Sequence, residues 1–258
     1  FQWGPALAAL TGALLLQIGA NLANDVFDYH KGADTEQRLG PMRVTQAGLL
    51  APRQVMTGMW IVFGLAVLVG LYLTWVAGWP VVWIGLLSIA AAIAYTGGPF
   101  PLGYYGLGEI GVFLFFGLAA VCGTYYVQAE QLSLAAVLAA FPMGFISSAI
   151  LAVNNLRDIE TDQAAGKHTL AARFGLAWAR REYLILLIAA YLVPPFMAVF
   201  AGTSWTVLTA WLSIPLAYRL VQQVWHVQGR MLNRVLAGTG QLELMYALLL
   251  GLGALIRF

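Results

Sequence analysis

Long apolar runs separated by short polar stretches dominate the chain. Eight runs come close to the roughly 20 residues that a helix needs to cross a bilayer. They are Trp3–Ala23, Val55–Ala77, Trp79–Thr96, Ile110–Val127, Ser133–Val153, Tyr183–Phe200, Ser204–Val221 and Leu242–Ile256, the last being short for a full crossing. No strand-like alternation of polar and apolar positions occurs. In lipid, a span must satisfy its own backbone hydrogen bonds, so runs of this kind form helices. The pattern therefore predicts an all-α polytopic membrane helix bundle with eight transmembrane helices, organised as a single domain over residues 1–258. Ala, Gly and Ser within the runs let helices pack closely.

The polar connections predict an orientation. Those after the first, fifth and seventh runs are long, whereas those after the second, fourth and sixth are very short turns. Every Lys and Arg except Arg257 falls in the three long loops or, for Arg219, at the end of the run that leads into one. Loops after odd-numbered spans share a side, and the positive-inside rule makes that side cytoplasmic. Most of the acids follow: Asp25, Asp28, Asp34 and Glu36 in the first loop, Asp158, Glu160, Asp162 and Glu182 in the second. The positive-inside rule does not require acids there, so they call for a separate explanation. No charged residue falls in the middle of any of the eight runs.

Composition agrees with a lipid environment. Hydrophobic residues make up 61% of the chain and charged residues 9%, against about 25% charged in soluble domains. A net charge of +2 is too small to suggest a nucleic-acid partner. A single cysteine, Cys122, excludes a disulfide framework and reads as packing. No charged segment precedes the first run, so that run reads as a span and not a signal peptide.

Two polar stripes carry the candidate chemistry. The first lies in and before "NLANDVFDYHKGAD", Asn21 to Asp34. On a helix, Gln17, Asn21, Asn24 and Asp28 project within about 60° of one another, with Asp25 at the edge. Such a stripe on an apolar helix faces a bundle interior or a wet cavity. The second is "NNLRDIETDQAAGKHTLAARFG", Asn154 to Gly175, in which Asn154, Asp158 and Asp162 follow at i, i+4 and i+8. With four spans between the motifs, Asp28 and Asp158 are expected to confront each other across one cytoplasmic cavity. Facing carboxylates repel in a low-dielectric setting, and a divalent cation relieves that repulsion. Hard oxygen ligands suit Mg²⁺ or Ca²⁺, and Mg²⁺ takes only one or two carboxylates beside water and phosphate oxygens. Arg43, Arg157, Lys167 and Arg173 are candidates for holding those phosphates, although each also reads as an ordinary positive-inside charge. The simpler alternative is a pair of solvated loops whose acids pair with nearby Lys and Arg. Two matched Asn-then-Asp stripes on one side favour a metal–diphosphate site.

These residues resemble the UbiA superfamily of intramembrane aromatic prenyltransferases. "NDVFD", Asn24 to Asp28, is similar to its N-D-x-x-D core, and "DIETD", Asp158 to Asp162, to its D-x-x-x-D motif. The usual third acid of the first motif falls at position 32, which is Gly, and Asp34 comes two residues later. That shift, with "GPMRVTQAGLL" and "YTGGPFPLGYYGLGE", resembles the branch that prenylates 1,4-dihydroxy-2-naphthoate on the menaquinone pathway. The family usually has nine spans, so the start at Phe1 leads us to expect that its first helix lies outside this sequence.

The resemblance implies a Mg²⁺-dependent enzyme of the cell membrane whose active site faces the cytoplasm. Asp28 and Asp158 are the expected metal ligands, with Asp34 and Asp162 as further or water-mediated ones. Asn24 and Asn154 would orient carboxylates, and Asn21 would touch a substrate. The substrates implied are a prenyl diphosphate and dihydroxynaphthoate, drawn partly from the bilayer. The loop Tyr95–Glu109, with Tyr104, is a candidate cap near the aromatic substrate and equally an interfacial turn. Another acceptor such as 4-hydroxybenzoate is the nearest alternative. A transporter with an acidic vestibule is the rival from a different class, disfavoured by the lack of mid-span charge.

Overall fold

The computed structural model describes residues 1–33 and 38–256. Asp34 and Glu36 lie outside the described residues. Among these residues all regular structure is helical: α1 (Trp3–His30), α2 (Pro52–Ala77), α3 (Pro80–Thr96), α4 (Gly108–Ala129), α5 (Leu134–Arg157), α6 (Ile159–Ala164), α7 (Leu170–Phe174), α8 (Leu176–Phe200), α9 (Ile214–His226) and α10 (Leu232–Leu255), with 3-10 segments before α9 and α10. Among the described residues, six helices are long and apolar enough to cross a membrane: α1, α2, α4, α5, α8, and α10 together with its preceding 3-10 turn. Two of the eight expected spans take other forms. The third is the 17-residue helix α3. The seventh is a nine-residue 3-10 helix, Trp205–Ser213, running into α9.

Local chemistry explains the helix ends. Pro52 and Pro80 open α2 and α3, where the missing N–H costs nothing. The Ser133 hydroxyl accepts from the Ala136 N–H at 3.1 Å and caps α5. The polar stripe does not stop α1, which continues to His30. Gly32, at φ +67°, then reverses the chain as a C-terminal cap, with the Gly32 and Ala33 amides returning to Tyr29 and Asp28 carbonyls. The prolines inside α5 and α8 are of the kind that membrane helices tolerate.

The chain forms two compact units. Unit 1 comprises residues 1–111, 123–131 and 161–169. Its centre is Ala23, Met59 and Phe63, with Phe27, Ile89 and Ile93 packed around them. Gly19 lets α1 lie directly on the Phe63 ring. At the opposite end Leu73, Ala77, Val81 and Val127 form a second cluster. Leu7, Leu14, Leu68 and Leu71 are left more than half exposed, an arrangement suited to lipid and not to water.

Unit 2 comprises residues 112–122, 132–160 and 170–258. Its core is built on α5, α8, α10 and the 3-10 helix, around the buried Tyr183, Leu187, Leu242 and Tyr246. Buried phenols need partners, and each has one. Tyr183 pairs with the Thr239 hydroxyl at 3.0 Å, and Tyr246 donates to the Ala190 carbonyl at 2.8 Å. Within α4, Phe113–Ala119 winds as a π-helix. There Gly117 meets the Gly144 backbone so closely that a Cβ would come within 2.6 Å of the Gly144 Cα.

The last span begins earlier than the hydrophobic run suggests, at Leu232 and not at Leu242. Polar residues before Leu242 do not break the helix because unit 2 supplies partners for them. Thr239 bonds Tyr183, and Asn233 accepts from Arg157.

Candidate active site

Each unit gathers acidic side chains with their own partners; the second motif divides, with Asn154 and Asp158 in unit 2 and Asp162 and Lys167 in unit 1. In unit 1, Asp28 stands near the end of α1 and is only 3% exposed. A buried carboxylate must be compensated. One oxygen accepts from the Tyr104 hydroxyl at 2.8 Å, and the other from the Lys167 ammonium at 3.3 Å. Lys31 donates to the Thr96 carbonyl at 2.6 Å. Both ammonium groups lie over the Tyr104 ring, Lys31 at 4.4 Å and Lys167 at 4.9 Å from its centre. Burial lowers the pKa of Lys31 below the usual lysine value; Asp28 opposes that shift and Lys167 adds to it.

The surrounding backbone is tied down by the same residues. The Asn24 amide oxygen accepts from the Thr96 hydroxyl at 3.0 Å. Asp25 is buried and accepts from the Val44 and Thr45 amides at 3.0 and 3.3 Å, so it anchors the loop that carries Arg43. Arg43 reaches the Asn21 carbonyl at 3.4 Å. Asn21 itself is exposed. At Gly97, where α3 ends, a Cβ would fall 2.7 Å from the Ile93 carbonyl and 2.9 Å from the Phe27 ring. Glycine thus lets the Tyr95–Glu109 loop leave close against α1. The His168 amide bonds the Tyr104 carbonyl, and the Lys167 amide the Asp162 carbonyl, both at 2.8 Å.

In unit 2 the centre is Arg157, 4% exposed, at the end of α5. Its Nε and Nη2 grip the two oxygens of Asp158 at 2.8 and 2.5 Å. Nη2 also reaches the Asn154 oxygen at 2.7 Å, and Nη1 the Asn233 oxygen at 2.6 Å. Asn154 and Asp158 are thereby held through one guanidinium. The helix does not continue as the i, i+4, i+8 spacing assumed. Asp158 leaves it at φ −100°, ψ 12°, and Asp162 sits on the separate α6. Arg173 is exposed on α7.

Of the residues singled out in the sequence, Asn21, Asn24, Asp28, Arg43, Tyr104, Asp162 and Lys167 fall in unit 1, and Asn154, Arg157, Asp158 and Arg173 in unit 2. Sequence reasoning passed over Lys31, Thr96 and Asn233. Lys31 had a signal, since it follows Asp28 by less than one helical turn. Asn233 had none. The premise of no mid-span charge also fails. Glu243 lies midway along α10, where it accepts from the Ser147 hydroxyl at 2.5 Å. A single carboxylate paired with a hydroxyl is a helix-to-helix bond and not a chain of relays.

The donor chemistry fits a hard cation. Among the described residues no three His, Cys, Asp or Glu side chains converge on one point. Mg²⁺ asks for less, one or two carboxylates with water and phosphate oxygens completing its shell. Asp28, Asp158 and Asp162, with the amides of Asn24 and Asn154, offer oxygen donors, the kind a hard cation takes.

The UbiA prenyltransferase family profile matches residues 1–237. The 1,4-dihydroxy-2-naphthoate octaprenyltransferase of Haemophilus influenzae is 39% identical over 254 residues, spanning 96% of this chain and 82% of that protein. The enzyme of the same name from Escherichia coli is 41% identical over 234 residues, 88% of this chain and 74% of that one. A solved digeranylgeranylglyceryl phosphate synthase superposes with a TM-score of 0.64 at 14% identity, covering 98% of this chain and 87% of that one, which is a likeness of fold. The chain belongs to the UbiA prenyltransferase family. It is a polytopic membrane transferase of a generally metal-dependent family.

Proposed function

We propose that this protein transfers a prenyl group from a polyprenyl diphosphate to 1,4-dihydroxy-2-naphthoate, with loss of CO₂, to give a demethylmenaquinol in menaquinone biosynthesis. The observation that carries this reading is the 39% identity, across 96% of the chain, to an enzyme of that name. In balance, the allylic C–O bond breaks with its electron pair leaving on diphosphate. The ring forms the new C–C bond, and the ring carboxylate departs as CO₂.

Mg²⁺ would be held by Asp28 and Asp158, with Asp34 and Asp162 as further or water-mediated ligands, and when bound it supplies positive charge to the leaving diphosphate. That both motifs serve one diphosphate is inferred from the motifs and the family. Lys167 and Lys31, already beside Asp28, add positive charge, and Arg43 and Arg173 are further candidates for phosphate oxygens. Arg157 would act chiefly on the carboxylate of Asp158. Tyr104 holds Asp28 through its hydroxyl. Apolar walls around the allylic cation exclude water and protect it from hydrolysis. The same reading sets eight spans in the cell membrane, with both motifs facing the cytoplasm as the distribution of Lys and Arg supports.

The test incubates membranes containing the protein with Mg²⁺, a prenyl diphosphate and either dihydroxynaphthoate or 4-hydroxybenzoate. Mass spectrometry is expected to show prenylated naphthoate product lacking the mass of CO₂. Prenylation of 4-hydroxybenzoate alone would replace the acceptor, and transport without any prenylated product would replace the class.

A further inference from the structure

We infer that Asn233, on the first turn of α10 and outside both acidic motifs, is a positioning residue that sets the carboxylate of Asp158 through Arg157. The inference rests on the reading of Asp158 as a carboxylate that serves the metal and diphosphate.

Asp158 stands at the break between α5 and α6, at φ −100°, ψ 12°, so it is not carried on an unbroken helix as Asp28 is. The Arg157 fork grips it with two parallel bonds to its two oxygens. A bidentate guanidinium defines the plane of a carboxylate in a way that a point charge does not. The fork in turn needs its own restraint. Arg157 is almost fully buried, and a buried guanidinium takes the orientation that satisfies its donors. Its remaining partners are Asn154 and Asn233. Asn154 lies one turn back on the same helix and moves with it. Asn233 comes from another helix, and its oxygen meets Nη1 at 2.6 Å. Of these partners, it is the one that ties the fork to a second element of unit 2. Removing that oxygen leaves a buried charged donor without its acceptor, and the guanidinium rotates or draws in water to replace it. The plane of Asp158 then goes with it.

The test uses the full chain in detergent, with three variants. Asn233→Leu removes the acceptor. It is expected to raise the Mg²⁺ concentration for half-maximal turnover roughly tenfold, the scale of one lost bond to a charged group. It is also expected to cut the thermal stabilisation conferred by Mg²⁺ plus inorganic diphosphate, a readout independent of turnover. Asn233→Gln keeps the amide but displaces its oxygen by one methylene, so it tests the same point should the Leu variant fail to accumulate, with a several-fold rise expected. Asn233→Asp restores an acceptor oxygen at the original place and brings the Mg²⁺ requirement back to within about twofold. An unchanged Mg²⁺ requirement in Asn233→Leu or Asn233→Gln, or failure of the Asp variant to recover, overturns the inference. Asp158→Asn separates the two levels. If it is inactive while Asn233→Leu behaves as wild type, only the role of Asn233 falls. If Asp158→Asn stays active, the reading of the site itself falls.

Discussion

The two acidic motifs solve the same problem by opposite means. In unit 1, Asp28 is deeply buried on an unbroken helix, and its partners are a neutral phenol and the tip of a flexible lysine. In unit 2, Asp158 lies at a break between two helices and is gripped by a planar fork, itself clamped by two amides. Where the backbone already aims the carboxylate, soft partners are enough. Where the backbone lets go, rigidity has to come from side chains.

Four substitution tests sharpen this contrast. Asp28→Ala and Asp158→Ala should have the largest effect, each cutting prenyl transfer by at least about a hundredfold while leaving membrane insertion intact. Retained turnover in both, or turnover that survives chelation of divalent metals without needing Mg²⁺ back, would remove the metal-site assignment. Next, exchanging the cations should be asymmetric. Arg157→Lys loses the fork and should destabilise the fold by roughly 1–3 kcal/mol in thermal unfolding, with a loss of turnover to match. Lys167→Arg keeps a charge beside Asp28 and should stay within about fivefold of wild type. Equal losses for the two exchanges would erase the distinction. Tyr104→Phe removes a single bond to Asp28, worth about 1 kcal/mol or roughly fivefold in kcat/KM, and steady-state kinetics would read it. The smallest change is expected at Glu243, which belongs to neither motif. Glu243→Gln still accepts from Ser147 and should shift stability by less than the loss of one hydrogen bond, about 1 kcal/mol, as unfolding in detergent would show.

What was legible in the sequence depended on whether helical periodicity held. On α1 it did, and the helical register from Asn21 to Asp28 could be read because the helix runs unbroken to His30, although Asn21 is exposed and Asp25, expected at the edge, is buried. After Arg157 it did not. The spacing of Asn154, Asp158 and Asp162 suggested one face, yet the chain leaves the helix at Asp158, and nothing in the residue types announces that exit. Arg157 shows a second limit. Its charge beside an acidic motif suggested a phosphate contact, whereas its bonds run to Asp158, Asn154 and Asn233. Which acceptor a guanidinium takes depends on what a helix far along the chain presents, and spacing within a motif does not contain it. The start of α10 was misjudged for the same reason, since polar residues look like a helix boundary until their partners are known.

That last helix has a consequence for how the chain is made. With its 3-10 turn it has the lowest mean hydropathy of the six long segments, 1.4 against 2.1 for α5. A carboxylate at its midpoint would cost roughly 2.5–3.5 kcal/mol on entry into lipid. Ser147 is synthesised almost a hundred residues earlier, so its hydroxyl is already in the membrane when Glu243 emerges. The order of synthesis thus supplies the receptor before the group that needs it, and the least greasy of these six segments enters onto a surface prepared to take it.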